Sequence, residues 1–260
     1  MTVMTFRSET ITVCGIDLQL RRGGTGPTLL YLHGTDGLSE WPRFLDLLAK
    51  DHDVVAAPHP GFGSSPCPAW MNDVSDLAYF YLDMLDALEL RDVRVVGHSL
   101  GAWIALECAV RSTARIKDMT LIAPAGVHVA GLTRTDIFMI DPDEQARLAY
   151  ADSMIGAEAA ERALADKYQD TAITDRIASA RFGWNPRFHN PRLPHWLHRI
   201  KVPTLIVWGE EDRIYPPAYG PVMQALVPGS ELVMIAGCGH LPQMEKADET
   251  IAAMRAFSAR

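Results

Sequence analysis

The sequence predicts an α/β fold: a mostly parallel central sheet flanked by helices, with a helical lid inserted late in the chain. Short apolar runs at residues 28–32, 54–57, 93–96, 119–123, 204–208 and 231–235 alternate with stretches of helical pattern, the signature of a sheet covered on both faces. The alternation stops between Gly126 and Ile200, where only helical patterns occur. Between one apolar run and one helix lies Gly97-His98-Ser99-Leu100-Gly101, and G-x-S-x-G in a strand–turn–helix setting presents a serine at the head of a helix. Glycines on both sides leave room for the sharp turn and for close helix–strand packing.

Residues 11–14 and 17–20, separated at Gly15-Ile16, read as a short antiparallel hairpin, and Gly23-Gly24-Thr25-Gly26-Pro27 then breaks the chain. The apolar runs that follow are compact, as expected of strands buried on both faces. Helices are expected at 41–50, 74–88, 100–111, 219–226 and 247–258. In the insert, Asp141-Pro142-Asp143-Glu144 combines an N-cap Asp with Pro at the first helical position, a helix start. Further helices are expected at 158–169 and 174–182. Residues 183–194 carry Pro186, Pro191 and Pro194 and cannot continue as helix. The expected organisation is a core of residues 1–125 and 201–260, with a lid of residues 126–200 roofing the carboxyl ends of the strands.

The chain has 260 residues, a formal net charge of -8 and 48% hydrophobic residues. That is ample for a large core, and the acidic balance argues against nucleic acid or an anionic membrane surface as partner. No apolar run reaches bilayer length, and residues 1–10 lack the basic-then-apolar layout of a signal peptide. Cys14, Cys67, Cys108 and Cys238 are widely spaced with no C-x-x-C, which fits reduced thiols in a cytoplasmic protein. Self-association into a homo-oligomer stays open.

A serine nucleophile needs a base, and the base needs an orienting acid. Among nine histidines, His240 stands out, because Gly237-Cys238-Gly239-His240-Leu241-Pro242 is a glycine-rich loop directly after a strand. Glu210, Glu211 and Asp212 all follow the preceding strand and compete for the acid. His189, His195 and His198 lie in a proline-broken segment without an acidic partner at ligand spacing, so no metal is expected, and nothing calls for a cofactor.

With Leu32-His33-Gly34, Pro60-Gly61-Phe62-Gly63-Ser64-Ser65, the Gly97–Gly101 turn, Pro203-Thr204-Leu205-Ile206-Val207-Trp208-Gly209 leading to Asp212, and Gly239-His240, the chain resembles the α/β-hydrolase superfamily over nearly its whole length. The resemblance implies Asp212 as the acid, third past the strand-ending glycine, and hence the order Ser99, Asp212, His240. It also implies an oxyanion hole from the backbone N–H groups of Leu100 and Thr35. Asp36 is then expected to point away from the hole or to cap a helix, and His33 and His98 are expected to be structural.

The implied reaction is hydrolysis of a small or medium-sized carboxylic ester through an acyl-enzyme. The lid aromatics should mostly pack on the core. Trp184, Phe138 and Leu241 are the expected apolar substrate contacts, with Arg181, which together with Arg187 flanks Trp184, suited to a carboxylate. A rival is the carbon–carbon bond hydrolase branch acting on aromatic ring-fission products. His98 and Leu241 stand where that branch usually has asparagine and tryptophan. A small-molecule receptor on the same fold is the alternative from another class.

Overall fold

The computed structural model describes residues 6–259, the side chains of 166–168 excepted. β1 (Arg7–Val13) and β2 (Ile16–Gly23) form the antiparallel hairpin, turning at Cys14 and Gly15, both at positive φ. β2 pairs antiparallel with β4 (Asp53–Ala56). The remaining strands, β3 (Thr28–Leu32), β5 (Val93–His98), β6 (Ile116–Ile122), β7 (Thr204–Gly209) and β8 (Glu231–Ile235), run parallel. The sheet order is β1-β2-β4-β3-β5-β6-β7-β8. The chain leaves β3 toward β4 on one side and returns to β5 on the other. That reversal opens a crevice at the carboxyl ends of β3 and β5, the place where ligands bind in such sheets.

The central strands look uniformly apolar because each serves two cores. Leu30, Leu32, Val95, Leu121 and Trp208 enter one cluster, with α2 (Val74–Ala87), α3 (Leu100–Arg111) and α7 (Tyr219–Leu226). Leu29, Tyr31, Val96, Ile122 and Val207 enter the other, with α1 (Arg43–Leu48) and α9 (Ala247–Ser258). Alternate residues point to opposite faces, and each fully buried Leu or Ile contributes about 1.5–3 kcal/mol. The central sheet therefore holds its carboxyl ends rigidly.

Three helices fill the insert between β6 and β7: α4 (Pro142–Ala149), α5 (Ser153–Leu164) and α6 (Asp166–Gly183). Several helix boundaries differ from the sequence expectation. α5 starts at Ser153 because Asp152 caps it, accepting from the N–H groups of Met154 and Ile155. α5 and α6 are then parted by the single extended residue Ala165, where the sequence carries no Gly or Pro. Asp141 does occupy the N-cap of α4, but its side chain makes no capping bond. α6 runs one residue into the expected break, to Gly183; residues 184–192 are non-helical, and a short 3-10 turn, Leu193–His195, follows. α1 is shorter than expected, beginning after Pro42, whose extended backbone starts it. A four-residue helix, α8 (Pro242–Glu245), follows His240. Among the described residues no helix is long and apolar enough to cross a membrane, and the four cysteines are free.

Candidate active site

Ser99 links β5 to α3 at φ 49°, ψ −108°, a left-handed conformation that a non-glycine residue holds only under constraint. The constraint is packing. A Cβ on Gly101 would lie 2.1 Å from the Leu32 carbonyl oxygen at the end of β3, and one on Gly97 2.6 Å from the Gly101 oxygen. Both motif glycines are required by the backbone itself. Ser99 donates its N–H to the Ile122 carbonyl at 2.9 Å, which pins the turn to β6.

Asp212 lies just past β7. Its Oδ1 accepts the N–H groups of Ile214 and Tyr215, each at 2.8 Å, and its Oδ2 accepts from His240 Nδ1 at 2.8 Å. A carboxylate held this way fixes the imidazole with its proton on Nδ1. The other ring nitrogen, Nε2, lies 3.1 Å from Ser99 Oγ. Glu210 and Glu211 are exposed, so the structure selects Asp212 among the three acids. His240 is also held through its backbone: its N–H donates to Ala149 O at 2.7 Å, and its carbonyl accepts from His98 Nε2 at 3.0 Å. The Tyr215 ring stacks on its imidazole at 5.9 Å between centroids. Ser99, Asp212 and His240 are all buried.

His33 and His98 support this arrangement from behind. His33 donates from Nδ1 to the Gly34 carbonyl and accepts the His59 N–H on Nε2, shaping the loop after β3. Burial pushes the pKa of both His33 and His98 well below the usual imidazole value, so both are neutral. Thr35 follows that loop and lines a cavity of about 480 Å³ whose wall includes Ser99 and His240. Leu100 is the first residue of α3, and its N–H has no acceptor within the helix.

The sequence profile of the alpha/beta hydrolase family matches residues 29–253. The chain belongs to the alpha/beta hydrolase family. This hydrolase is 30% identical over 241 residues to the dihydrolipoyllysine-residue acetyltransferase component of the acetoin cleaving system of Cupriavidus necator, covering 88% of this chain and 63% of that protein. It is 28% identical to 2-hydroxymuconate semialdehyde hydrolase of Pseudomonas sp. (strain CF600), over 91% of this chain and 88% of that one. Among solved structures it resembles serine hydrolase CCSP0084 from Cycloclasticus zankles, with a TM-score of 0.79, 22% identity and 98% of each chain covered.

The cavity of this hydrolase is walled by core and insert together. Phe138 and Leu241 line it, as the sequence suggested, and Ile137, Tyr150 and Phe188 add apolar surface. Trp184 and Arg181 do not line it. Trp184 is 53% exposed and lies outside, its ring covered by the Arg187 guanidinium at 3.8 Å. Arg181 donates to the Pro68 carbonyl, anchoring α6 to the core. Met139, Met154 and Trp196 are likewise exposed, so less of the insert's apolar surface packs inward than its composition suggests.

Asp36 also departs from expectation. It lines the cavity beside Thr35, where it is open to the solvent that fills the cavity, and desolvation by the neighbouring protein raises its carboxyl pKa. Asp175 of α6 lines the same cavity, with its Oδ1 accepting the Gly63 N–H at 2.7 Å. Its pKa is raised to about 6 by burial first, with the Asp36 charge adding to it. Among the described residues neither carboxylate is ion-paired. Tyr215 and Asp175 were absent from the sequence reading. Tyr215 follows Asp212 closely enough that its amide could have been suspected, whereas Asp175 reaches the site only through the packing of α6.

Proposed function

We propose that this hydrolase cleaves neutral, small to medium-sized carboxylic esters through an acyl-enzyme on Ser99. The observation that carries the proposal is His240 bridging Ser99 Oγ and Asp212 Oδ2 at 3.1 and 2.8 Å. His240 Nε2 takes the Ser99 proton as Oγ attacks the ester carbonyl, and Asp212 stabilises the imidazolium that forms. The N–H groups of Leu100 and Thr35 receive the developing oxyanion. His240 then returns the proton to the departing alcohol, and water attacks the acyl-enzyme by the same base route. The apolar walls from Ile137, Phe138 and Phe188 suit an acyl or aryl group.

Asp36 favours esters over the carbon–carbon substrates of the hydroxymuconate semialdehyde type. A substrate carboxylate would share the cavity with Asp36 and Asp175, two acids without an ion-pair partner among the described residues. Of the three arginines of the wall, Arg176 donates to the Ile140 carbonyl and Arg134 to the Arg187 carbonyl, while Arg162 of α5 stands, among the described residues, as the one cation of the wall that could meet an anion. Arg181, the residue suited to a carboxylate by sequence, is outside the cavity.

The test is turnover of 4-nitrophenyl esters of increasing acyl length by wild type and Ser99→Ala, both checked for folding. The expected result is a maximum at one chain length and a loss of at least ~10⁴-fold in the variant. Folded wild type no faster than Ser99→Ala on any ester overturns the proposal, and tight ligand binding without turnover would then point to a receptor.

A further inference from the structure

We propose that Glu245 is a positioning residue that ties residues 147–152 of the insert to His240, making that segment part of the support of the catalytic base. Glu245 ends α8, and its carboxylate accepts three backbone N–H groups. Oε2 takes Gly239 at 2.7 Å and Ala151 at 3.2 Å, while Oε1 takes Asp152 at 2.7 Å. One donor belongs to the residue before His240, and the other two to the joint between α4 and α5.

The contact between those two segments is direct as well. A Cβ on Gly239 would lie 2.4 Å from Ala149 O and 2.9 Å from Ala151 N, so the insert's backbone rests on the Gly239 Cα. His240 donates its own N–H to that same Ala149 oxygen at 2.7 Å. On the acid side, Arg213 adjoins Asp212 and donates to the carbonyls of Arg147, at 2.9 Å, and Tyr150. The loops bearing Asp212 and His240 are thus both laced to one short stretch of the insert, chiefly through backbone groups.

The consequence is mechanical. The joint between α4 and α5 cannot lift from the core without releasing the Gly239 and His240 amides. Ala149 and Tyr150 of this stretch also line the cavity, so the segment that shapes the pocket also aligns the base. A misplacement of about 1 Å at a reacting group costs on the order of 10²-fold in rate. Loss of the Glu245 carboxylate leaves three N–H groups without an acceptor and frees the Gly239–His240 peptide to shift.

The inference rests on the serine-hydrolase reading, and one set of measurements separates the two. Wild type, Glu245→Ala and Glu245→Gln are compared for the rate of Ser99 labelling by a fluorophosphonate, for kcat and KM on the best 4-nitrophenyl ester, and for thermal stability. The low-field proton resonance of His240 Nδ1–H, held by Asp212, is followed by NMR. Glu245→Ala is expected to lose ~10- to 100-fold in kcat and in labelling rate, with KM within about threefold and the low-field resonance broadened. Glu245→Gln, which keeps one acceptor oxygen, is expected to fall between, and it carries the comparison if the alanine variant does not fold. Labelling and kcat within about twofold of wild type in a folded variant overturn the inference, as does a loss confined to KM with the resonance intact. No labelling of Ser99 in the wild type overturns the hydrolase reading instead.

Discussion

On the proposed ester activity, replacing Asp36 with Asn should change which esters are turned over. The substitution keeps shape and removes one charge beside the proposed oxyanion donor Thr35. Adjacent Cα atoms are ~3.8 Å apart, so a carboxylate on residue 36 stands on the order of 7 Å from an oxyanion held at the Thr35 N–H. A carboxylate on an acyl chain in the cavity would lie roughly 7–10 Å from it. At an effective dielectric near 20, Coulomb repulsion over that span is about 1.7–2.4 kcal/mol, or ~20- to ~50-fold in rate. A neutral ester escapes most of this, because its transition state pairs the oxyanion with the His240 imidazolium and the two respond to Asp36 with opposite sign.

The assay compares kcat/KM for 4-nitrophenyl hexanoate and mono-4-nitrophenyl adipate. Wild type should prefer the neutral ester, and Asp36→Asn should raise the adipate/hexanoate ratio by the factor just given. The pH dependence has a definite sign. Because desolvation raises the Asp36 pKa, its charge is present above that raised value and lost below it. Discrimination should therefore fade as pH falls through the raised pKa in wild type, and Asp36→Asn should keep only the pH dependence that Asp175 of the same cavity supplies near pH 6. A ratio that differs by less than about threefold between the two proteins at pH 8 refutes the electrostatic argument.

Gly101→Ala places a Cβ 2.1 Å from the Leu32 carbonyl oxygen, a backbone atom that cannot swing aside. It should cost about 3 kcal/mol, seen as a fall in Tm of roughly 6–12 °C. Burial lowers the His59 pKa from 6.5 to about 4, its N–H groups engaging the His33 ring and carbonyl in a fully enclosed site. An imidazole depressed on folding contributes stability that is complete above pH 6.5 and lost as pH falls toward 4, in all about 3 kcal/mol. Urea unfolding between those pH values should show this slope, and His59→Gln should flatten it.

The central strands were legible because they are buried on both faces, and a short, continuous apolar run between turn residues is what such a strand requires. Ser99 and His240 were legible for a related reason: glycines flank them where another backbone passes within van der Waals reach, and those glycines stand in the sequence. Asp212 needed the family resemblance, since two other acids sit beside it and only the amides of Ile214 and Tyr215 decide between them. The insert was read as helical but misdivided. Ala165 breaks α5 from α6 with no residue that favours a break, so the pattern placed both helices several residues too late.

The same contrast separates what the family shares from what this chain does with it. The elbow, the acid loop and the base loop are specified by backbone contacts, which few residue types satisfy, and they return the family's site. The pocket is specified by side chains arriving from elements far apart in sequence. Arg181 and Trp184 face away because α6 uses Arg181 to grip Pro68, and that same helix instead delivers Asp175 to the cavity. Asp36 faces inward because it sits on the loop that ends β3, where no helix follows for it to cap until Arg43. The net result is a chamber with Asp36 and Asp175 in its wall, where Arg134 and Arg176 are spent on backbone carbonyls and, among the described residues, Arg162 alone is not. On the proposed ester activity, substrate choice is expected to turn on charge as well as shape, and Asp36 is the residue where that expectation is best tested.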